Sequence, residues 1–192
     1  MTEPGEALAV VLGALEKLEI PYFIGGSLAS SVHGAVRATK DVDVVADIHV
    51  EQATEFVAAL GAGFYADPDM ICEAIQLGRP FNLIHYASTY KFDIFPAGSD
   101  PFVKEQLGRR VFVQSDLFGG KELEFAAASA EDSILAKLVW YRGGGVSGQQ
   151  WNDVIGIVRV QGQRLDARYL REWARRLNVT DLLERVLAEG RA

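Results

Sequence analysis

The sequence predicts an α/β head followed by a helical tail. Three observations predict it. Short apolar runs rich in β-branched and aromatic residues alternate with longer stretches of helical spacing up to about residue 128. After Ser129 the strand-like runs stop and four stretches of helical pattern follow. Nearly half of the 192 residues are hydrophobic and 23% are charged, an ordinary globular composition that can bury one core and a helical appendage.

Taken in order, Leu8, Val11, Leu12, Leu15 and Leu18 recur at helical spacing, so residues 5–18 read as an amphipathic helix. Pro21 ends the connection and YFIGG reads as a short buried strand. A short helix from Leu28 to His33 begins at the Ser27 turn, and Gly34 closes it. Residues 41–46 form a second strand and 51–60 a second substantial helix, while 69–77 favour helix weakly. FNLIHYA and YKFDIFPA read as a strand pair joined near Ser88 and Thr89. Residues 101–108 are a helix candidate. RRVFVQS and ELEFAAA read as a further strand pair around Gly119 and Gly120. Ser129 with Asp132 three places on is a helix-start signal. The tail helices fall at 130–142, 148–161, 167–177 and 180–189, with Gly143, Gly144 and Gly145 breaking the first two apart. The expected division is a head at 1–128 and a helical segment at 129–192 packed on it, sharing one core.

Composition excludes several classes of function. No apolar run approaches the roughly 20 residues of a spanning helix, so no membrane role is expected. The stretch MTEPGEALAV lacks a basic segment and does not read as a secretory signal. Cys72 is the only cysteine, which rules out an internal disulfide and makes a reducing cytoplasm the expected compartment. Three histidines and one cysteine, widely spaced, argue against zinc. A net charge of −7 argues against a broad nucleic-acid surface. Arg168, Arg171, Arg175 and Arg176 still form a local basic cluster, for which a solvated helix face is the simpler reading.

The chemistry concentrates between Tyr22 and Val45. Asp41 and Asp43 lie at i and i+2 of a strand, so both carboxylates project to one side while Val42 and Val44 enter the core. Carboxylates so spaced can share a divalent cation, and hard oxygen ligands suit magnesium. Gly25 and Gly26 allow close approach of backbone to a ligand, and Ser27 opens a helix whose N–H groups favour an anion. Asp93 lies between Phe92 and Ile94, where an ionised carboxylate needs a partner. A metal ion or a general-base role would supply one; a salt bridge to Lys91 or a backbone cap is the plainer alternative. Arg37 and Lys40 either contact phosphates or neutralise neighbouring acids. Lys137, on an otherwise apolar helix, either meets a triphosphate tail or snorkels from the core, and Asp153 could orient Lys137 or Arg142. His33 reads as structural.

Gly-Gly-Ser, then HGAVRATKDVDVV, then a later strand acid, resembles the nucleotidyltransferase superfamily related to DNA polymerase beta. The spacing from Ser27 to Asp41 is most similar to the abortive-infection (AbiEii-type) branch and its small bacterial relatives. The resemblance covers about residues 20–160 by motif order. It implies a mixed sheet with flanking helices, and transfer of a nucleoside monophosphate from an NTP such as ATP or GTP to a hydroxyl of RNA, protein or a small molecule. It implies that Gly26 and Ser27 hold the triphosphate, that Asp41 and Asp43 bind Mg2+ (or Mn2+), and that Asp93 ligates metal or activates the acceptor. Lys137 and Asp153 match, in order, a lysine and a further acid of that branch. A toxin with an antitoxin partner, an antibiotic-modifying enzyme, and an inactive nucleotide-binding or protein-interaction module of the same fold all remain open.

Overall fold

The pleat of residues 41–46 organises the architecture. Val42, Val44 and Ala46 are fully buried, whereas Asp41, Asp43 and Val45 face the other side and keep contact with solvent. Alternate side chains leave opposite faces of a strand, so one segment supplies both core and polar face. A computed structural model describes residues 4–35, 41–115, 122–145 and 148–191, and its architecture is mixed α/β.

The described residues fall into two units, the first comprising 1–24 and 39–127 and the second 25–38 and 128–192. The first unit contains β1 (Tyr22–Ile24), β2 (Asp41–Ala46), β3 (Phe64–Tyr65), β4 (Phe81–His85), β5 (Lys91–Pro96), β6 (Val111–Ser115) and β7 (Leu123–Ala127). They form one seven-stranded sheet in the order β3-β4-β5-β2-β1-β7-β6. β2 pairs antiparallel with β1 and parallel with β5, and β1 pairs parallel with β7, so the sheet is mixed. The two expected strand pairs are the antiparallel ladders β4–β5 and β6–β7. The turn expected at Gly119 and Gly120 lies outside the described residues.

Helices of this unit are α1 (Pro4–Lys17), α3 (Ala53–Leu60), α4 (Pro68–Gln76) and α5 (Pro101–Arg109). α1 contributes Leu8, Val11 and Leu15 to the core, as its spacing predicts, and α3 contributes Phe56. Pro68 and Pro101 sit in the first turns of α4 and α5, where a missing N–H costs nothing. Asp67 accepts from the N–H groups of Asp69 and Met70, and Asp100 from that of Phe102. The helix expected at 51–60 begins as a 3-10 turn, Val50–Gln52, and becomes α-helical only at Ala53. β3, two residues long, carries too short a pattern to announce itself.

The second unit is helical: α2 (Gly26–Val32), α6 (Ala130–Arg142), α7 (Gly148–Gln161), α8 (Ala167–Arg176) and α9 (Thr180–Arg191). α2 groups with the tail through its packing on α6 and α7. His33 Nε2 meets the Ala128 carbonyl at 2.7 Å, and Gln161 donates to the His33 carbonyl at 3.1 Å. Gly34 has φ +123°, and a Cβ there would come within 2.5 Å of Val160. The core is built from Ile134, Leu135, Leu138, Val154, Ile157, Leu170, Leu183 and Val186. Asp132 is wholly buried, yet it accepts from the Tyr169 hydroxyl at 2.6 Å and from Ser129 Oγ at 2.9 Å. The Ser129 start signal therefore does two jobs, capping α6 at the Asp132 N–H and satisfying a buried carboxylate.

Two stability changes follow. Gly34→Ala adds left-handed strain and a clash with the Val160 Cβ, so urea denaturation should show a loss of about 1–3 kcal/mol; an unchanged midpoint would mean that the turn accommodates a side chain. Tyr169→Phe removes a donor from a buried acceptor and should cost about 1–3 kcal/mol in the same measurement; an unchanged midpoint would mean that Asp132 does not need that bond.

Candidate functional site

Asp41, Asp43 and Asp93 come together in the first unit, and the register of β2 on β5 brings them there. Asp41 lies opposite Lys91, Val42 opposite Phe92, and Asp43 opposite Asp93. In-register neighbours on parallel strands stand about 4.8 Å apart with side chains on the same face. Val42 and Phe92 fill the core beneath while the acids share the half-exposed side. On the next strand Asn82 lies opposite Asp93, which extends the polar row by one amide. Sequence reasoning did not single out Asn82; counting the register back from the β4–β5 turn would have found it.

This row carries a strong negative field, and Lys91 answers it. Its Nζ lies 2.9 Å from Asp93 Oδ2 and 4.0 Å from Asp41 Oδ1. The lysine is held above its ordinary range, first by the hydrogen bond to Asp93 and further by the charges of Asp93, Asp41 and Asp43, against some desolvation. Tyr90 is also raised, mainly by burial and then by the charge of Asp41. The structure thus gives Asp93 the lysine partner that the sequence offered as the plainer alternative. Among the described residues no group of three or more His, Cys, Asp or Glu is drawn together to hold a metal ion as it stands. The donor set nevertheless fits a hard divalent cation: three carboxylates stand on one face with no soft ligand among them, and two of them, Asp93 and Asp41, already lie against an ammonium.

The remaining candidates belong to the second unit or lie outside the described residues. Gly26, the first residue of α2, has φ +55°, a left-handed value that glycine adopts without strain. Ser27 follows it and is buried. Lys137 and Asp153 meet directly: Nζ lies 3.0 Å from Asp153 Oδ2 and 2.5 Å from Gln150 Oε1, with both charged residues buried. Of the two partners offered for Asp153, the structure selects Lys137, because Arg142 pairs with Asp181 instead. Arg37 and Lys40 lie outside the described residues.

No family model matches the sequence, and no curated protein matches it. Solved structures do match. The antibiotic-resistance factor ANT(2'')-Ia in solution aligns with a TM-score of 0.54 at 15% identity, covering 94% of this chain and 94% of that one. An antigenic nucleotidyltransferase-like protein from Paracoccidioides brasiliensis aligns with a TM-score of 0.54 at 18% identity, covering 97% of this chain and 94% of that one. The chain has the nucleotidyltransferase fold. A second structure of ANT(2'')-Ia, in complex with adenylyl-2''-tobramycin, aligns with a TM-score of 0.52 at 14% identity over 88% of this chain and 95% of that one. The mixed sheet expected for a nucleotidyltransferase fold is the sheet observed.

The Lys91 electrostatics are directly measurable. Because its folded-state midpoint is raised, the ion pair's contribution to stability is complete below about pH 10, the ordinary lysine range, and is lost as pH rises through the folded midpoint. Carbon-detected NMR of the lysine side chains should show Lys91 titrating above its peers. Asp93→Asn should bring it down more than Asp41→Asn does; equal effects would contradict the geometry.

Proposed function

We propose that this protein is a divalent-metal-dependent nucleotidyltransferase that moves a nucleoside monophosphate from an NTP to a hydroxyl acceptor. The observation that carries the reading is the row Asp41, Asp43 and Asp93 on in-register parallel strands, within a fold shared with nucleotidyltransferases.

Asp41 and Asp43 would hold Mg2+, or Mn2+, with Asp93 as a third ligand or as the base. Such an ion, when bound, neutralises phosphate charge and stabilises the attacking and leaving oxygens. In the reaction the acceptor oxygen bonds to the α-phosphorus, the bond from that phosphorus to the bridging oxygen of the β-phosphate breaks, and pyrophosphate leaves. The acceptor proton passes to Asp93, which must first release Lys91. The freed ammonium is then one more cation near the reacting phosphates. Gly25, Gly26 and Ser27, with Arg37 and Lys40, are the proposed phosphate contacts. Lys137 would join them by exchanging its tie to Asp153 or Gln150 for the nucleotide.

For the acceptor, the negative charge of the chain suits a cationic, hydroxylated small molecule of the kind bound by ANT(2'')-Ia. An RNA acceptor, with the protein acting as the toxin of a toxin–antitoxin pair, is the competing choice within the same reaction. The Lys91–Asp93 ion pair favours a second reading of a different kind, a module that binds nucleotide without turning it over.

Pyrophosphate release with each NTP plus Mg2+, against an aminoglycoside panel and against total cellular RNA, tests the proposal. The wild-type chain should release pyrophosphate with one acceptor class. The Asp41→Ala/Asp43→Ala variant should remain folded and lose activity by about a thousandfold or more, several kcal/mol of transition-state stabilisation. Activity surviving in the folded double variant would overturn the mechanism. Calorimetric NTP binding without release would favour the binding module.

A further inference from the structure

We propose that α8 carries a binding site for a single-stranded phosphodiester chain, an inference that does not rest on the nucleotide-transfer reading. The helix is sharply two-sided. Tyr169, Leu170, Trp173 and Ala174 are buried, while Arg168, Arg171, Arg175 and Arg176 remain exposed. The exposed side is an open face that carries those four arginines and Glu172.

The charges on this face are unevenly committed. Arg176 bonds Glu172 at 2.5 Å and lies over the Trp173 ring at 4.9 Å, so the one acid that α8 places among these arginines is already answered. Arg171 reaches the exposed Glu184 at 3.3 Å, a pair that costs little to give up. Among the described residues, Arg168 and Arg175 make no side-chain ion pair or hydrogen bond. Arg168, Arg171 and Arg175 follow the i, i+3, i+7 pattern and therefore form one stripe about 10 Å long.

A stripe of planar, permanently charged forks on a rigid helix matches a ligand that repeats an anion along a line. Guanidinium binds phosphate oxygens two at a time, and a phosphodiester backbone offers such groups at every unit. An acidic helix can carry carboxylates at the same i, i+3, i+7 spacing, whereas a phosphodiester chain carries one charge at every unit whatever its sequence. The chain's net charge of −7 repels polyanions elsewhere, so binding should localise to this face.

Fluorescence anisotropy with labelled single-stranded RNA and DNA oligonucleotides, without NTP or metal, reads the site directly. Three phosphate contacts predict a slope of about −2 in log K against log salt, roughly a sixteen-fold loss of affinity from 50 to 200 mM. Arg168→Gln/Arg171→Gln/Arg175→Gln should weaken binding tenfold or more while leaving the thermal midpoint unchanged, since all three side chains are exposed. Arg79→Gln/Lys104→Gln, exposed cations of the other unit, should leave binding intact. A difference between RNA and DNA would identify the source of the backbone. No binding at low salt, equal loss in both variants, or tighter binding of poly-glutamate than of either oligonucleotide would each overturn the proposal.

Discussion

Parallel pairing of β2 with β5 is the constraint on which the acid row depends. Hydrogen bonds of the ladder fix which residue stands beside which, and here they set Asp43 against Asp93. The same ladder buries Val42, Val44, Phe92 and Ile94 beneath. A slip of one residue would turn the apolar set outward and the carboxylates into the core, at a cost the unit could not bear. The hydrophobic pattern therefore specifies the register, and the register assembles the polar row.

Like charges on adjacent strands repel one another, and a cation beside them offsets part of that repulsion. Lys91 fills that part at present, from a position two residues before Asp93 and on the same face of the same strand. An intramolecular ammonium and a divalent ion answer the same electrostatic demand. They differ in charge and in the number of oxygens each can gather. Any ligand that brings its own cations must therefore contend with a tether already in place. Lys137 shows a second version of the same arrangement, enclosed between α6 and α7 with Asp153 and Gln150.

Local pattern carried much of this structure. Helical spacing located α1 and the four tail helices, alternation located β2 and β5, and Ser129 marked a helix start that is where it should be. The order of the glycine turn and the acids pointed to the nucleotidyltransferase superfamily, and the fold agrees. What the sequence withheld depends on distance. β3 exists because β4 offers it an edge, and nothing in Phe64–Tyr65 says so. α2 groups with residues a hundred positions away through His33 and Gln161, a partnership no window of sequence contains. Asp132 looked like part of a cap; its burial and its tie to Tyr169 come from packing of α8 on α6. Asp93 was visible as an acid among aromatics. Its choice of Lys91 follows from side-chain geometry that spacing alone leaves open.

The division of labour across the pleat of β2 has an evolutionary corollary. Residues that keep the sheet standing and residues that meet solvent occupy opposite sides of one six-residue strand, so substitutions on the wet side can accumulate without loosening the dry one. Selection can then retune or abandon the surface chemistry while inheriting the scaffold whole. Descendants of such a chain would keep their shape long after their vocation had changed, which suits a fold held in common at 14–18% identity.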